Sequence, residues 1–134
     1  MSRVSTIYKG DMLFESQLGN HTLTIDSPEE WGGEDRGPLP PQLLMTSIGS
    51  CVGVLVNRFC DERGLDASGL QIDVDYDVAD HPTRFQNIKV MIRLPNTVCD
   101  DAFTREALEH VAKHCPVHET ILTLEKVNFE LATA

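Results

Sequence analysis

Between Gln42 and about Arg63, the apolar residues Leu44, Ile48, Val52, Leu55 and Phe59 recur at the three-to-four-residue interval of one helical face. Pro40 and Pro41 stand where a first helical turn tolerates proline, and Gly64 offers the left-handed residue that ends a helix. Leu43, Val54 and Val56 widen the stripe nearly all round. The helix is therefore expected at the centre of the molecule, touched on several sides, and burial so complete in a small domain points to a second copy of the chain.

The flanking segments suggest what covers it. Residues 3 to 16 and 21 to 26 read as strands around Leu18-Gly19-Asn20, whose Gly and Asn supply the backbone freedom of a hairpin turn. Ser27 to Pro41 is rich in Gly and Pro and reads as a long, functional loop. Leu70, Ile72, Val74, Tyr76 and Val78 alternate with polar residues, as do Ile88, Val90, Ile92 and Leu94, predicting an antiparallel pair joined around Asp80-His81-Pro82-Thr83. Asp100 or Asp101 then caps a helix with Phe103, Ala107, Leu108, Val111, Ala112 and Cys115 on its apolar face, interrupted by Pro116. A short helical turn from Val117 to Leu122 and a closing strand through Val127, Phe129 and Leu131 complete the order. This is an α+β pattern, antiparallel sheets packed on a long central helix, expected as a single domain over residues 1–134.

Charge and composition exclude several classes. A formal net charge of −10 and the lack of any basic run argue against nucleic acid or an anionic membrane as partner. The first residues, Met1 to Lys9, lack the apolar core and cleavage site of a secretory signal, so a cytoplasmic location is expected. The apolar run Leu43 to Val56 is shorter than the roughly 20 residues of a membrane span and reads as a buried helix.

Without an export signal, the four cysteines are expected to be reduced or redox-active rather than structural disulfides. Cys51 closes Pro41-Gln42-Leu43-Leu44-Met45-Thr46-Ser47-Ile48-Gly49-Ser50-Cys51, and Cys115 sits in His114-Cys115-Pro116-Val117. Both fall on the apolar face of a predicted helix, so packing can bring them together despite their separation in sequence. A buried core cysteine is the plain alternative for Cys51. Given the second thiol, a reversible dithiol and peroxide chemistry are the favoured expectation.

The Pro-rich loop, the long helix with Leu43-Leu44 and Ile48-Gly49-Ser50-Cys51, and the late Cys115-Pro116-Val117 together resemble the OsmC/Ohr family of osmotically inducible and organic hydroperoxide resistance proteins. The resemblance implies an intertwined homodimer that reduces organic hydroperoxides, Cys51 attacking, Cys115 resolving and an external dithiol resetting the pair. It implies neither cofactor nor metal. It also implies an Arg that keeps Cys51 ionised, for which Arg36 is favoured over Lys9 because a guanidinium stays charged in an apolar pocket. In the peroxidase members a Glu ten residues before the first Cys holds that Arg. This chain has Pro41 there, with Gln42 beside it, which implies weakened or altered chemistry. A non-enzymatic relative that binds an apolar small molecule or senses redox state is the alternative.

The remaining candidates have plainer readings. Cys60, about two and a half turns beyond Cys51, cannot bridge to it within one helix, and Cys99 reads as a loop thiol without a partner. His110, His114 and His118 recur at helical spacing beside Cys115, yet they read as surface residues because no acidic ligand shares their face. Asp73, Asp75 and Asp77 read as a solvated strand face. Gly49 and Gly53 are expected to let another helix approach the central one.

Overall fold

The long helix is present in the computed structural model, which describes residues 2–134: α1 runs Pro40–Arg63. It begins two residues before the expected start. Leu39 donates its backbone N–H to Gln42 Oε1 at 2.8 Å, so Gln42 closes the first turn from inside, half of a capping box with proline in the helical positions between. At the other end Gly64 adopts φ 64°, with Leu65 N–H donating to Cys60 O at 2.9 Å and Gly64 N–H to Asp61 O at 3.4 Å. This is the Schellman arrangement. An added Cβ at Gly64 would meet nothing within 4 Å, so Gly64→Ala should cost only the left-handed penalty, about 1 kcal/mol. A denaturation midpoint shifted with an unchanged slope would register it.

The described residues divide into two compact units, one running to Met45 and the other from Thr46 to Ala134. In the first, β1 (Ser5–Gly10), β2 (Leu13–Leu18) and β3 (His21–Ile25) form an antiparallel meander. The turn at Gly19-Asn20 lies where expected, pairing Leu18 with His21. The expected single strand over residues 3 to 16 is instead two strands. Asp11 and Met12 take φ 50° and 68° and reverse the chain there, a turn that the β-type pattern on both sides conceals. Tyr8 and Phe14 face each other across it with ring centroids 5.4 Å apart. Beyond β3 the Gly/Pro-rich stretch is a loop holding a single 3-10 turn, Glu29–Trp31.

In the second unit β4 (Gln71–Ala79) and β5 (Arg84–Arg93) pair antiparallel, with Ile72 opposite Ile92 and Val74 opposite Val90. Asn87, at φ 54°, lies where the register shifts. The close approach foreseen at Gly49 and Gly53 is made by this ribbon and not by another helix. A Cβ at Gly49 would lie 3.3 Å from Val74 Cγ2, and one at Gly53 would lie 3.5 Å from Ile72 Cγ1. The helix α2 (Ala102–Lys113) is capped by Asp101, which accepts from Thr104 N–H at 2.6 Å, and α3 (Pro116–Thr123) follows. Val52, Val56, Phe59, Cys60, Leu108, Ala112 and Cys115 form the buried core, with β4 and β5 side chains packed against it.

Three expectations are corrected. Leu44 and Val54 are exposed, so α1 is covered on one side rather than all round. Phe103, placed on the inner face of α2, is 75% exposed because the inward residues are Leu108 and Ala112, a turn and more further on. Val127 to Leu131 form no strand. Alternation prepares a strand, but only a paired edge satisfies its backbone, and among the described residues no strand hydrogen-bonds to it. The uncharged stretch around α1 also extends from Gly37 to Asn57, further than the apolar run considered above. By length and composition α1 is thus long enough to cross a membrane, although its inner face lies in the core of the second unit.

Candidate active site

Cys51 lies midway along α1 and is half-buried; Cys115 is fully buried. Cys51 lies near enough to Cys115 to act on its thiol, and both thiols are free. The pairing follows from two local features. Cys51 sits one residue before the inward Val52, on the border of the covered stripe. Cys115 does not end α2 as expected. His114 is the C-cap of that helix, and Cys115 is the N-cap of α3, with Pro116 in its first position.

An N-cap faces unpaired backbone N–H groups, and here the sulfur takes the place of the usual oxygen. His118 N–H donates to Cys115 Sγ at 3.2 Å. Burial pushes the Cys115 thiol up; the His118 and Val117 amides pull it down, while Cys51 beside it raises it. Cys115 is thus held as a buried thiol near a more accessible one, the asymmetry needed for one sulfur to meet an oxidant and the other to respond.

Arg36 belongs to the first unit, where its partners are unexpected. Its Nε donates to Asp26 Oδ2 at 2.6 Å, its Nη2 donates to Asp11 O at 2.9 Å, and Nη1 lies 3.4 Å from Glu34 Oε2. Asp26 is buried and also accepts from the backbone N–H groups of Ser27, Glu34 and Arg36. At Gly33 a Cβ would strike the Ser27 carbonyl and Asp26 Oδ1, so a side chain there would break the loop. The Arg36 guanidinium holds the Asp26 carboxyl well below the usual carboxylate range, burial opposes it, and the three amides add to the lowering. Asp26 in turn raises Arg36. Asp26 was not singled out from sequence because its partners Glu34 and Arg36 lie eight and ten residues on, in no recurring motif; an acid directly after a β-rich run and before a Gly/Pro loop was the available signal.

Since Asp26 is more acidic folded than unfolded, its contribution to stability is complete above the unfolded value of about 4 and disappears as pH falls toward the folded one. Wild-type Tm should therefore drop more steeply below pH 4 than that of Asp26→Asn, which starts lower at neutral pH. Parallel acid limbs in the two Tm–pH curves would count against this carboxylate as the titrating group.

The histidines do not converge. His110 and His114 stack with ring centroids 4.1 Å apart, and the Nδ1 atoms of His114 and His118 are engaged by the carbonyls of His110 and Lys113. Among the described residues no group of three or more His, Cys, Asp or Glu is arranged to hold a metal ion. Asp73 is bound to Arg93, Nε to Oδ2 at 2.7 Å, and Asp77 to Asn87 at 3.0 Å. A cavity of about 660 Å³ in the second unit is lined by α1, β5 and α2, including Val52, Ile92 and Leu108, with Arg105, Lys113, Cys99 and His118 also on its wall.

Residues 32–131, which include Arg36 and both paired cysteines, match the profile of the family described as OsmC-like protein. The chain belongs to the OsmC-like family. No relative among curated proteins matches it. Among solved structures it is similar to a Psychrobacter arcticus 273-4 protein named for osmotic stress induction and a detoxification response, at 23% identity and TM-score 0.77 over 90% of this chain and 88% of that one. It is also similar to an organic hydroperoxide resistance protein OsmC from Legionella pneumophila, at 18% identity and TM-score 0.61 over 92% and 90%. The organic hydroperoxide resistance protein OhrB of Bacillus subtilis gives 18% identity and TM-score 0.58 over 92% of each chain. At these identities the likeness establishes the OsmC-like fold.

Proposed function

We propose that this OsmC-like chain is a thiol-dependent peroxidase that reduces organic hydroperoxides through a reversible Cys51–Cys115 dithiol. The observation that carries the reading is the nearness of two free thiols, one half-exposed and the other buried at a helix N-cap. Two of its structural relatives bear the name of organic hydroperoxide resistance.

In this reading the Cys51 thiolate attacks one peroxide oxygen, the O–O bond breaks, and the alcohol leaves with a proton. Cys51 becomes a sulfenic acid. The Cys115 sulfur then displaces its oxygen as water, and an external dithiol reduces the resulting disulfide by exchange. An ordinary thiol, with a pKa of about 8.5, is mostly protonated at neutral pH. The chemistry therefore calls for a cation, and Arg36 is our proposal for it, with Asp26 rather than the residue ten before Cys51 as the carboxylate that holds it. The same reading has the chain working in the cytoplasm as a homodimer. In its favour are apolar side chains left uncovered in the single chain, above all Phe129 at 91% and Leu131 at 89% exposure.

Reduced protein mixed with cumene hydroperoxide and dithiothreitol should consume peroxide catalytically, and with one equivalent of peroxide and no dithiothreitol it should lose two thiols per chain. Peroxide left unchanged would eliminate the enzyme. The cavity of about 660 Å³ favours one second reading, a relative that binds an apolar small molecule. Saturable binding of an apolar fluorophore without peroxide turnover would move the assignment there.

A further inference from the structure

The two cysteines outside the proposed active pair share one core. Cys60 is fully buried near the end of α1, and Cys99, in the connection between β5 and α2, packs against the same core cluster. Hydrogen bonds explain why. Thr97 Oγ1 donates to Asp66 O at 2.5 Å, and Asn96 Nδ2 donates to Ser68 O at 2.9 Å and to Ser68 Oγ at 3.1 Å. These bonds lash the β5–α2 connection to the turn that follows α1, and Leu65 N–H ties that same turn back to the carbonyl of Cys60. The Cys60 thiol is pushed up first by burial, then by Asp61, then by Cys99. Cys99 additionally lines the 660 Å³ cavity, whereas Cys60 does not. One thiol of the pair is thus reachable and the other sheltered, as at Cys51 and Cys115.

We propose that Cys60 and Cys99 form a second dithiol, which closes to a disulfide under oxidation and clamps the β5–α2 connection, a wall of the cavity, onto the end of α1. Residues Val98 to Asp100 belong to no helix or strand, so this short segment supplies the adjustment that sulfur–sulfur bonding requires. With a hydroperoxide as oxidant, the Cys99 thiolate takes one oxygen, the O–O bond breaks, and the alcohol departs with a proton. The Cys60 sulfur then attacks the Cys99 sulfenic acid, its proton leaving with the displaced oxygen as water. With a diazene such as diamide, the two thiols give up two hydrogens and the diazene becomes the hydrazine. The lining of the cavity would then depend on redox state.

The test uses the full chain with Cys51→Ser and Cys115→Ser, which removes the first pair and makes the result independent of peroxidase activity. Treated with diamide and then denatured, this protein should fall from two titratable thiols to none while remaining monomeric in mass. Non-reducing tryptic mapping should join peptide 59–63 to peptide 94–105. Adding Cys99→Ser should leave the Cys60 thiol free. Two thiols retained, linkage only between chains, or a Cys99 sulfinic acid beside a free Cys60 would each overturn the proposal. Should the double variant not fold, the same map of oxidised wild type decides: a 59–63 to 94–105 linkage supports the pair, and a Cys51–Cys115 linkage without it sinks the pair.

Discussion

Cys51→Ser should reduce hydroperoxide consumption by roughly 10³-fold or more, the scale on which loss of a nucleophile acts, whereas Cys115→Ser should consume about one equivalent and then stall. The contrast follows from where the sulfurs sit. A serine hydroxyl at position 51 is not ionised at neutral pH and cannot accept the peroxide oxygen. At position 115 the hydroxyl still accepts the His118 N–H and serine is a preferred N-cap, so the fold around α3 should survive and only the resolving step is lost. The Cys51 sulfenic acid then persists. Trapping with dimedone should label Cys115→Ser heavily and wild type little, and with excess peroxide the variant should proceed to the sulfinic acid. Equal labelling of both proteins would remove Cys115 from the resolving role, even if Cys51 remained essential.

Phe59→Ala should lower the unfolding free energy by about 3–5 kcal/mol, a cost typical of emptying an aromatic site in a core. Phe59 is buried with Val56, Cys60 and Leu108, and the Arg63 guanidinium lies over its ring at 4.3 Å, an exposed cation–π contact that adds at most about 1 kcal/mol. Against a total stability of about 5–15 kcal/mol, such a loss leaves the chain marginal. The matching control is Phe103→Ala. The two phenylalanines look equivalent in sequence, each on an apolar helical stripe, but Phe103 stands mostly in solvent, and its removal should stay within about 0.5 kcal/mol. Urea titrations of the single chain's folding read both. A large effect at Phe103 would instead reveal a surface covered by another copy of the protein.

The OsmC-like architecture was legible wherever a signal is local. The stop at Gly64, the turn at Gly19-Asn20, the cap at Asp101 and the alternation through Ile72, Val74, Val90 and Ile92 each act within a few residues, and each is found where expected. A signal that depends on a distant partner misled: among the described residues the alternating Val127, Phe129 and Leu131 pair with no edge. Two local features were also hidden, the turn at Asp11-Met12 inside a β-like pattern, and Gln42, which looked like a bystander to a missing Glu and caps α1. The two candidate sulfurs stand out as residues, and the hydrogen bond from His118 that shapes Cys115 does not, since it exists only once α3 starts at Pro116.

By itself the order of residues determined the helices, the hairpins and which two cysteines to watch, because helix and strand periodicity, caps and turns are short-range properties of a chain. Tertiary structure alone decided which side of α1 is covered, that Asp26 grips Arg36, and that Cys60 and Cys99 share one core. Those outcomes rest on contacts between segments far apart in sequence, whose energies are set by how whole elements pack and which polar groups that packing strips of water.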